Sequence, residues 1–546
     1  MSYNKFEVFL RNTVFGKLVH YTSRGKFFKT NEEYEDYEIP SKYLNAQEPV
    51  LVDWDGEDDL QNPRNWPLPL KLFFAFLASF ICFSVYIASA IYTPGIEMVK
   101  KDLNVNTTVA TLPLALFVVG YGTGPLLFGP LTENPKIGRM PVYFGTTFIF
   151  MILQIPTALV KNITGFCILR FLAGFFAAAP IGIGPAAICD VLTIPYGPIG
   201  IGFWSISAVG GPAFGPIIGS VLTVKESWRW GFWFLLILNG FTLLCMTFFF
   251  PESYEKALFY KKAMILKTKT GNENITSRGE IELSEMNRIE VIKDTLWRPI
   301  EMTMKEPVVL LIHMYISLMY AIMYLWFEAF PIVFQQTKHF TLVTMGLAYL
   351  SSFIGNMIGA MIYLPWTYKI HTRKAIVNQE VQPEIFLPMT IVGSIFMPVG
   401  IFIFAWTSSP DINWFPPMIG VAIFNIGGFM VFQCLFNYLG LSFPRYMASA
   451  FSGNACMRSI ISGVLALFGH FMFNNLGSKR FPVGWGSTIL GFCTAGMIAI
   501  PVLFYLNGPK LRARSKYAGF DMDDKVEEVH EPFDEESKKV DDLESV

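Results

Sequence analysis

AVGGPAFGPIIG, residues Ala208 to Gly219, is the stretch on which the reading of this chain turns, and it lies within a long apolar run. Gly211, Gly215 and Gly219 recur every four residues, so on a helix they fall on nearly one face and let another backbone approach closely. Pro212 and Pro216 form the adjoining stripe. Each lacks an amide donor and crowds the carbonyl four residues back, which bends a helix or gives it a hinge. In a bilayer the freed carbonyls must find partners on neighbouring helices, so the pattern demands a multi-helix bundle. Taken alone, the stretch reads equally well as a small-residue packing seam and as a conformational element.

Composition agrees with a bundle in a membrane. Hydrophobic residues make up 52% of the 546 residues, charged residues 16%, and the mean hydropathy is +0.42. That balance does not describe a soluble protein of this length. The net charge of −1 argues against a nucleic-acid partner. All seven cysteines fall in apolar runs, and no Cys/His spacing suits a metal or a disulfide framework. There is no GxxxxGK[ST], HExxH or GxSxG, so neither ATP-driven pumping nor hydrolytic catalysis is indicated, and no metal or catalytic residue is expected. No cofactor is expected beyond an ion gradient.

Apolar segments long enough to cross a bilayer, about 20 residues each, begin at Leu70. Six centre on 70–92, 108–131, 142–160, 163–188, 199–224 and 228–250, and six more on 308–334, 342–366, 385–406, 415–441, 447–474 and 485–506. The expected organisation is therefore an amino-terminal tail (1–68), a six-helix half (69–250), a hydrophilic loop (251–306), a second six-helix half (307–507) and a carboxyl tail (508–546). Two such halves fit one large transporter architecture, all-α with twelve transmembrane helices. The loops on the side of the amino terminus carry Lys136, Arg139, the Lys256–Lys305 cluster, Lys369, Arg373, Lys374 and Arg445. By the positive-inside rule both termini are expected in the cytosol. In the tail, Phe6, Phe9, Leu10, Val14, Leu18 and Val19 recur at helical spacing among Lys5, Arg11 and Lys17. That pattern suits a helix on the inner membrane surface, with a short soluble helix or disorder as the alternatives. Sequons at Asn106 and Asn162 hug helix ends and are expected to be unmodified.

Charges inside the segments stand out because an ion at the bilayer centre costs about 3 kcal/mol or more. Arg170, in FCILRFLAGFF, lies about two turns into the fourth segment, and a cavity-facing role is set against snorkelling. Glu328, in MYLWFEAFPIVF, follows Tyr320 and Tyr324 at four-residue intervals. Burial favours the neutral form of a carboxyl, so such a group can take and release a proton near neutral pH. The alternative is a carboxyl fixed by an arginine. Arg458 has Asn454 and Ser462 one turn to either side, and Gln433 and Asn437 make a weaker polar stripe. These side chains either line a substrate cavity or join helices by hydrogen bonds. His313 and His470 read as packing residues, and Asp190 as a helix-end contact. The 52 Phe, 22 Tyr and 12 Trp suit flat or cationic organic ligands, though most must face lipid.

Several stretches carry a family resemblance. WDGEDDLQNPRNWP, TPGIE, GPLTENPKIGR, LRFLAGFF, GGPAFGPIIG, WRWGFWF with PESY, FEAFPIVF and VGWGSTILGF resemble the fungal major facilitator superfamily. The branch is that of the twelve-helix drug:proton antiporters, near the yeast exporters associated with benomyl and fluconazole resistance. The resemblance implies a latch after the second helix, matched by Gly129, Glu133, Gly138 and Arg139, that holds the amino-terminal half to the other. Here an inserted ENPKIGR replaces a compact DRxGR. It also implies that Arg170 takes part in proton coupling and that Gly211 to Gly219 is the antiporter motif. A first-helix carboxylate found in some relatives is absent, which leaves Glu328 as the candidate proton acceptor, sensed by Arg170 across a cavity.

The resulting expectation is a monomeric plasma-membrane exporter that exchanges protons for hydrophobic or cationic compounds, such as azole antifungals and benomyl-like toxicants, by alternating access. Two rivals stay open. One is an uncoupled nutrient facilitator, and the other is a membrane sensor that signals through its charged tails.

Overall fold

Pro94 breaks the first span. It has no N–H for Ala90 O, which instead accepts the Thr93 hydroxyl at 2.8 Å and the Thr93 N–H at 3.1 Å. The helix Leu68–Tyr86 therefore passes into 3₁₀ turns at Ile87–Ser89 and Thr93–Gly95 before the helix Ile96–Asp102. The apolar run expected to end at Tyr92 thus extends by a further short helix.

The computed structural model of the chain describes residues 5–515 and Tyr517, apart from 36, 45–46, 286–295 and 379–380. The acidic carboxyl-terminal run and part of the connector lie outside the described residues. Among the described residues, twelve helices are long and apolar enough to cross a membrane. In order they are Leu68–Asp102, Thr107–Glu133, Arg139–Ala158, Ile163–Val191, Ile194–Lys225, Trp230–Phe249, Pro307–Thr337, Leu342–Val377, Pro383–Thr407, Phe415–Ser442, Met447–Leu476 and Gly484–Ala513. Each expected segment corresponds to one of them, as the need to pair every backbone group inside a bilayer requires. Asn106 and Asn162, the two sequon asparagines, cap the second and fourth spans by accepting from Val109 N at 2.9 Å and Gly165 N at 2.6 Å. Pro331 does more than bend the seventh span. The α-helix ends at Phe330, and Pro331–Thr337 is wound as a π-helix, a wider register that accommodates the missing donor.

The chain divides into two units, Met1–Thr193 with Ser207–Arg298, and Ile194–Ile206 with Pro299–Val546. In the first, the second span packs on the fourth through Gly120 and Gly174, where an added Cβ would strike backbone oxygens of Phe171 and Phe117. In the second, the tenth span packs on the eighth and ninth, helped by an Asn356–Asn425 amide bond of 3.0 Å and a Cβ-free approach at Gly355 and Gly400.

The amino-terminal tail is folded onto the connector, a departure from the expectation of a lone surface helix or disorder. Val50–Leu51 pair in parallel with Ile275–Thr276, and Tyr43, Val52, Ala263, Leu266 and Ile275 enclose a small core. Lys262, 5% exposed, reaches Asp55 Oδ1 at 2.6 Å, Asp53 O at 2.9 Å and Glu32 at 3.5 Å. Its neighbour is less well placed. Burial, then repulsion from Lys17 and Arg11, pushes Lys261 from its ordinary 10.5 down to about 8, against weaker pulls from Glu33 and Glu32. The helix Val14–Thr22 sets Phe15 5.0 Å from Phe248 of the sixth span and leaves Leu18 and Tyr21 exposed.

Lys261 makes stability depend on pH with a definite sign. Between about 8 and 10.5 the folded chain binds fewer protons at Lys261 than the unfolded chain, so stability rises with pH across that window and the strain is fully present below it. Lys261→Met is expected to abolish the rise and to stabilise the protein at neutral pH by on the order of 1 kcal/mol. Thermal unfolding in detergent from neutral to alkaline pH checks both.

Candidate functional site

The break in the first span leaves carbonyls without helical partners, and the fourth and fifth spans meet it. Thr93 N–H bonds Ala90 O rather than Ser89 O. Arg170 then donates from Nη2 to Ala88 O at 2.8 Å and Ser89 O at 3.3 Å. Its guanidinium lies 4.2 Å from the Phe117 ring centre, 5.4 Å from Tyr92 and 5.8 Å from Phe232. Arg170 is 0% exposed, so it neither snorkels nor faces an open cavity. An isolated arginine there would be costly. Hydrogen bonds from a charged donor, at about 1.5–3 kcal/mol each, and desolvated cation–π contacts of up to about 2 kcal/mol offset that cost.

The glycine stripe lies along the same break. A Cβ on Gly211 would come 2.7 Å from Tyr86 Cβ, one on Gly215 2.8 Å from Ile87 O, and one on Gly219 would run into Ile91 O. Pro212 and Pro216 sit inside an uninterrupted helix, Gly197–Lys225. The two readings of the stretch therefore merge, since the packing seam is made against the irregular part of the first span.

At the other end of the fourth span is a clasp. Arg139 holds Asp190 through two nitrogens, Nη2 at 3.0 Å and Nε closer, a bidentate geometry that a lysine could not give. Ser253 Oγ donates to Asp190 at 3.1 Å, and the Glu252 carboxylate accepts from the backbone N–H groups of Arg139 at 3.0 Å, Met140 at 3.2 Å and Tyr254 at 3.1 Å. Gly138 has φ +80°, which favours glycine, and the Glu252 carboxylate fills the space a Cβ would need. Of the latch residues named from sequence, Gly138 and Arg139 belong to this clasp. Gly129 has open space where a Cβ would go, and Glu133, exposed at the helix end, feels the charges of Arg139 and Asp190 without a hydrogen bond to either. Arg139, Asp190, Glu252 and Ser253 all belong to the first unit, so the clasp braces that unit internally. Sequence reasoning missed Glu252 and Ser253, although PESY was among the matching motifs.

In the second unit the structure joins two of the cavity candidates. Arg458 lies 4.6 Å from the Tyr320 ring centre and 5.5 Å from that of Phe432, and Asn454 is fully buried one turn away. Tyr324 packs beside Phe327 at 5.6 Å. Asn437 donates to Tyr363 OH at 3.1 Å, which makes it a helix-to-helix tie. Glu328 lies against Gly469, whose added Cβ would be 3.3 Å from Glu328 Cγ. The seventh and eleventh spans are parallel here, and Glu328 and Arg458 occupy levels about 12–16 Å apart along them. His313 bonds Thr303 Oγ1 at 3.2 Å and His470 bonds Asn474 at 2.9 Å, in keeping with packing roles.

The contact of the fifth span with the first gives a discriminating pair of variants. Gly215→Ala is expected to lower transport at least about tenfold at unchanged surface level, because backbone on both sides must part. Gly145→Ala, in the third span with nothing within 4 Å of the new methyl, is expected to transport normally. Uptake or efflux in cells matched for surface protein measures both.

The chain as a whole has clear relatives. The Major Facilitator Superfamily family model matches residues 78–466. The chain is 49% identical to the cycloheximide resistance protein of Candida maltosa, over 93% of this chain and 99% of that one. It is 40% identical to transporter mfs1 of Schizosaccharomyces pombe over 93% and 99%, and 36% identical to fluconazole resistance protein 1 of Saccharomyces cerevisiae over 89% and 88%. Among solved structures, the xylose transporter XylE of E. coli in a partially occluded inward-open conformation gives a TM-score of 0.53 at 13% identity, covering 80% of this chain and 99% of that one. That likeness speaks to the fold alone. Twelve spans, a family match through most of them and full-length fungal relatives lead to one conclusion: the chain belongs to the Major Facilitator Superfamily, as a multi-pass membrane transporter with the fold of that superfamily.

Proposed function

We propose that this transporter is a proton-coupled exporter of hydrophobic or cationic compounds, driven by the proton gradient without another cofactor, and placed in the plasma membrane with both termini in the cytosol. Export of toxic compounds is supported by near-full-length similarity to proteins named for cycloheximide and fluconazole resistance. The basic residues of the tail-side loops, Lys136 and the Lys256–Lys305 cluster among them, support the orientation.

The observation that carries proton coupling is the position of Glu328. This carboxyl lies more than two turns from either end of its span and is lodged against Gly469 of the eleventh. A carboxyl so placed changes the charge of a helix pair when it gains or loses its proton, and such a change shifts the balance between two packings. Arg170 then acts through the first span, whose broken segment it holds, while Tyr320 and Arg458 offer an aromatic and charged surface to substrate.

Efflux of a fluorescent drug from cells with and without the protein, and with and without a protonophore, tests direction and energy source together. Export that collapses with the protonophore is expected, and export indifferent to it would favour a facilitator. At matched surface level, Glu328→Gln is expected to reduce pH-driven efflux at least about tenfold. Arg170→Ala is expected to impair it also, and unchanged coupling in both would remove the assignment.

A further inference from the structure

The seventh, tenth and eleventh spans bring a group of unpaired polar side chains to one level. Three contacts set the register within the second unit. Phe436 stacks on Phe451 at 3.8 Å, Tyr320 lies 5.8 Å from Phe432, and the Arg458 guanidinium sits over Tyr320 at 4.6 Å. One turn from the Phe436–Phe451 stack, on the respective helices, are Gln433 and Asn454. By the Tyr320–Phe432 contact, Ser317 lies within about one turn of the same level. Gln433 and Asn454 are 0% exposed and Ser317 is 1% exposed. Among the described residues, both side-chain amide atoms of Gln433, both of Asn454 and the hydroxyl of Ser317 have no hydrogen-bond partner. The contrast with Asn437 and Asn356 is direct, since those amides reach Tyr363 OH and Asn425 Oδ1.

Buried carboxamides left unmade in this way carry the desolvation penalty of every donor and acceptor. A chain that wanted only a packed corner would do as well with leucine. The group is also selective in chemistry. Each carboxamide presents a donor and an acceptor side by side, which complements a group that offers the reverse pair. Arg458, one turn on, makes the neighbourhood unfavourable for a cation.

We infer that Ser317, Gln433 and Asn454 form a polar subsite for the uncharged amide, imide or urea portion of a transported compound. The inference rests on the export reading above and narrows its substrate class. Any cationic portion of a substrate is bound elsewhere. A site built to hydrogen-bond such a group discriminates strongly against compounds lacking it, because its own polar atoms then stay unpaired.

The test compares two probes in cells stripped of their own exporters. Cycloheximide carries a glutarimide, an N–H between two carbonyls, whereas fluconazole has no amide or imide. Gln433→Leu and Asn454→Leu, at wild-type surface level, are expected to lose cycloheximide efflux at least about tenfold while fluconazole efflux changes less than about twofold. Equal loss for both probes, or no loss for either, would overturn the subsite. Thermal unfolding of the purified variants supplies a second readout. Replacing unpaired carboxamides by leucine is expected to leave the melting temperature unchanged or raised, and a marked fall would show that the amides hold helices together instead. If wild-type protein exports neither probe, the export reading itself fails and this inference with it.

Discussion

Two carbonyls in the middle of the first span, those of Ala88 and Ser89, set the terms on which the first unit is built. No water competes for them in a bilayer, and each left unpaired costs several kcal/mol. A buried arginine is costly too, by about 3 kcal/mol or more. Brought together, the two liabilities cancel, because Arg170 donates to both oxygens from within a shell of Phe117, Tyr92 and Phe232. The glycine stripe follows from the same break. Between Tyr86 and Ile91 the first span presents backbone where a regular helix would present side chains, and only a partner without Cβ atoms can lie along it.

The second unit makes wide use of neutral hydrogen bonds and close backbone contacts. Neutral pairs such as Tyr315–Ser394 at 2.8 Å and Asn356–Asn425 at 3.0 Å are each worth about 0.6 kcal/mol on average in a membrane. Close backbone approaches at Gly400, Gly420 and Gly427 supply dispersion in their place. Arg458 rests on rings, Tyr320 and Phe432, and Arg512 pairs with Glu384 at 2.9 Å. Charge meets backbone in both units, at Arg170 on Ala88 and Ser89 in the first and at Lys338 on Ser409 and Ile412 in the second, while Arg458 stands among aromatic faces.

How much is legible in the sequence follows from the range of each interaction. Span number and position are legible because a bilayer imposes a length of about 20 apolar residues on every helix, a local property. The seam at Gly211, Gly215 and Gly219 is legible as a face, but its partner is not, since nothing in TPGIE announces that Pro94 releases carbonyls toward Arg170. Arg170 stands out as unusual, yet the sequence suggests a cavity for it, because hydropathy cannot distinguish a sealed shell of rings from an open one. Glu252 escapes notice because a carboxylate after a span looks like any solvated loop charge. Its three backbone donors are 112 or more residues away in two cases. The tail misleads for a like reason. The oxygens that bury Lys262 come from residues 53 and 55, more than 200 positions earlier.

The fourth span ties these features into one mechanical line. At one end Asp190 is gripped by Arg139, and Glu252, which braces that grip, donates its own N–H to Asn12 O at 3.1 Å, so the folded tail is attached to the clasp. Arg170 lies twenty residues earlier, about 30 Å along the helix, where it holds the broken first span. Between them Pro180 and Pro185 lie inside the continuous helix, where each lacks an N–H donor and weakens the hydrogen-bond ladder. A rigid rod would force the clasp and the break to move as one. Two weakened points between the clasp and the break make the helix easier to bend there than a regular one. In the first unit the fourth span thus carries the arginine shell and the clasp on opposite sides of its two prolines.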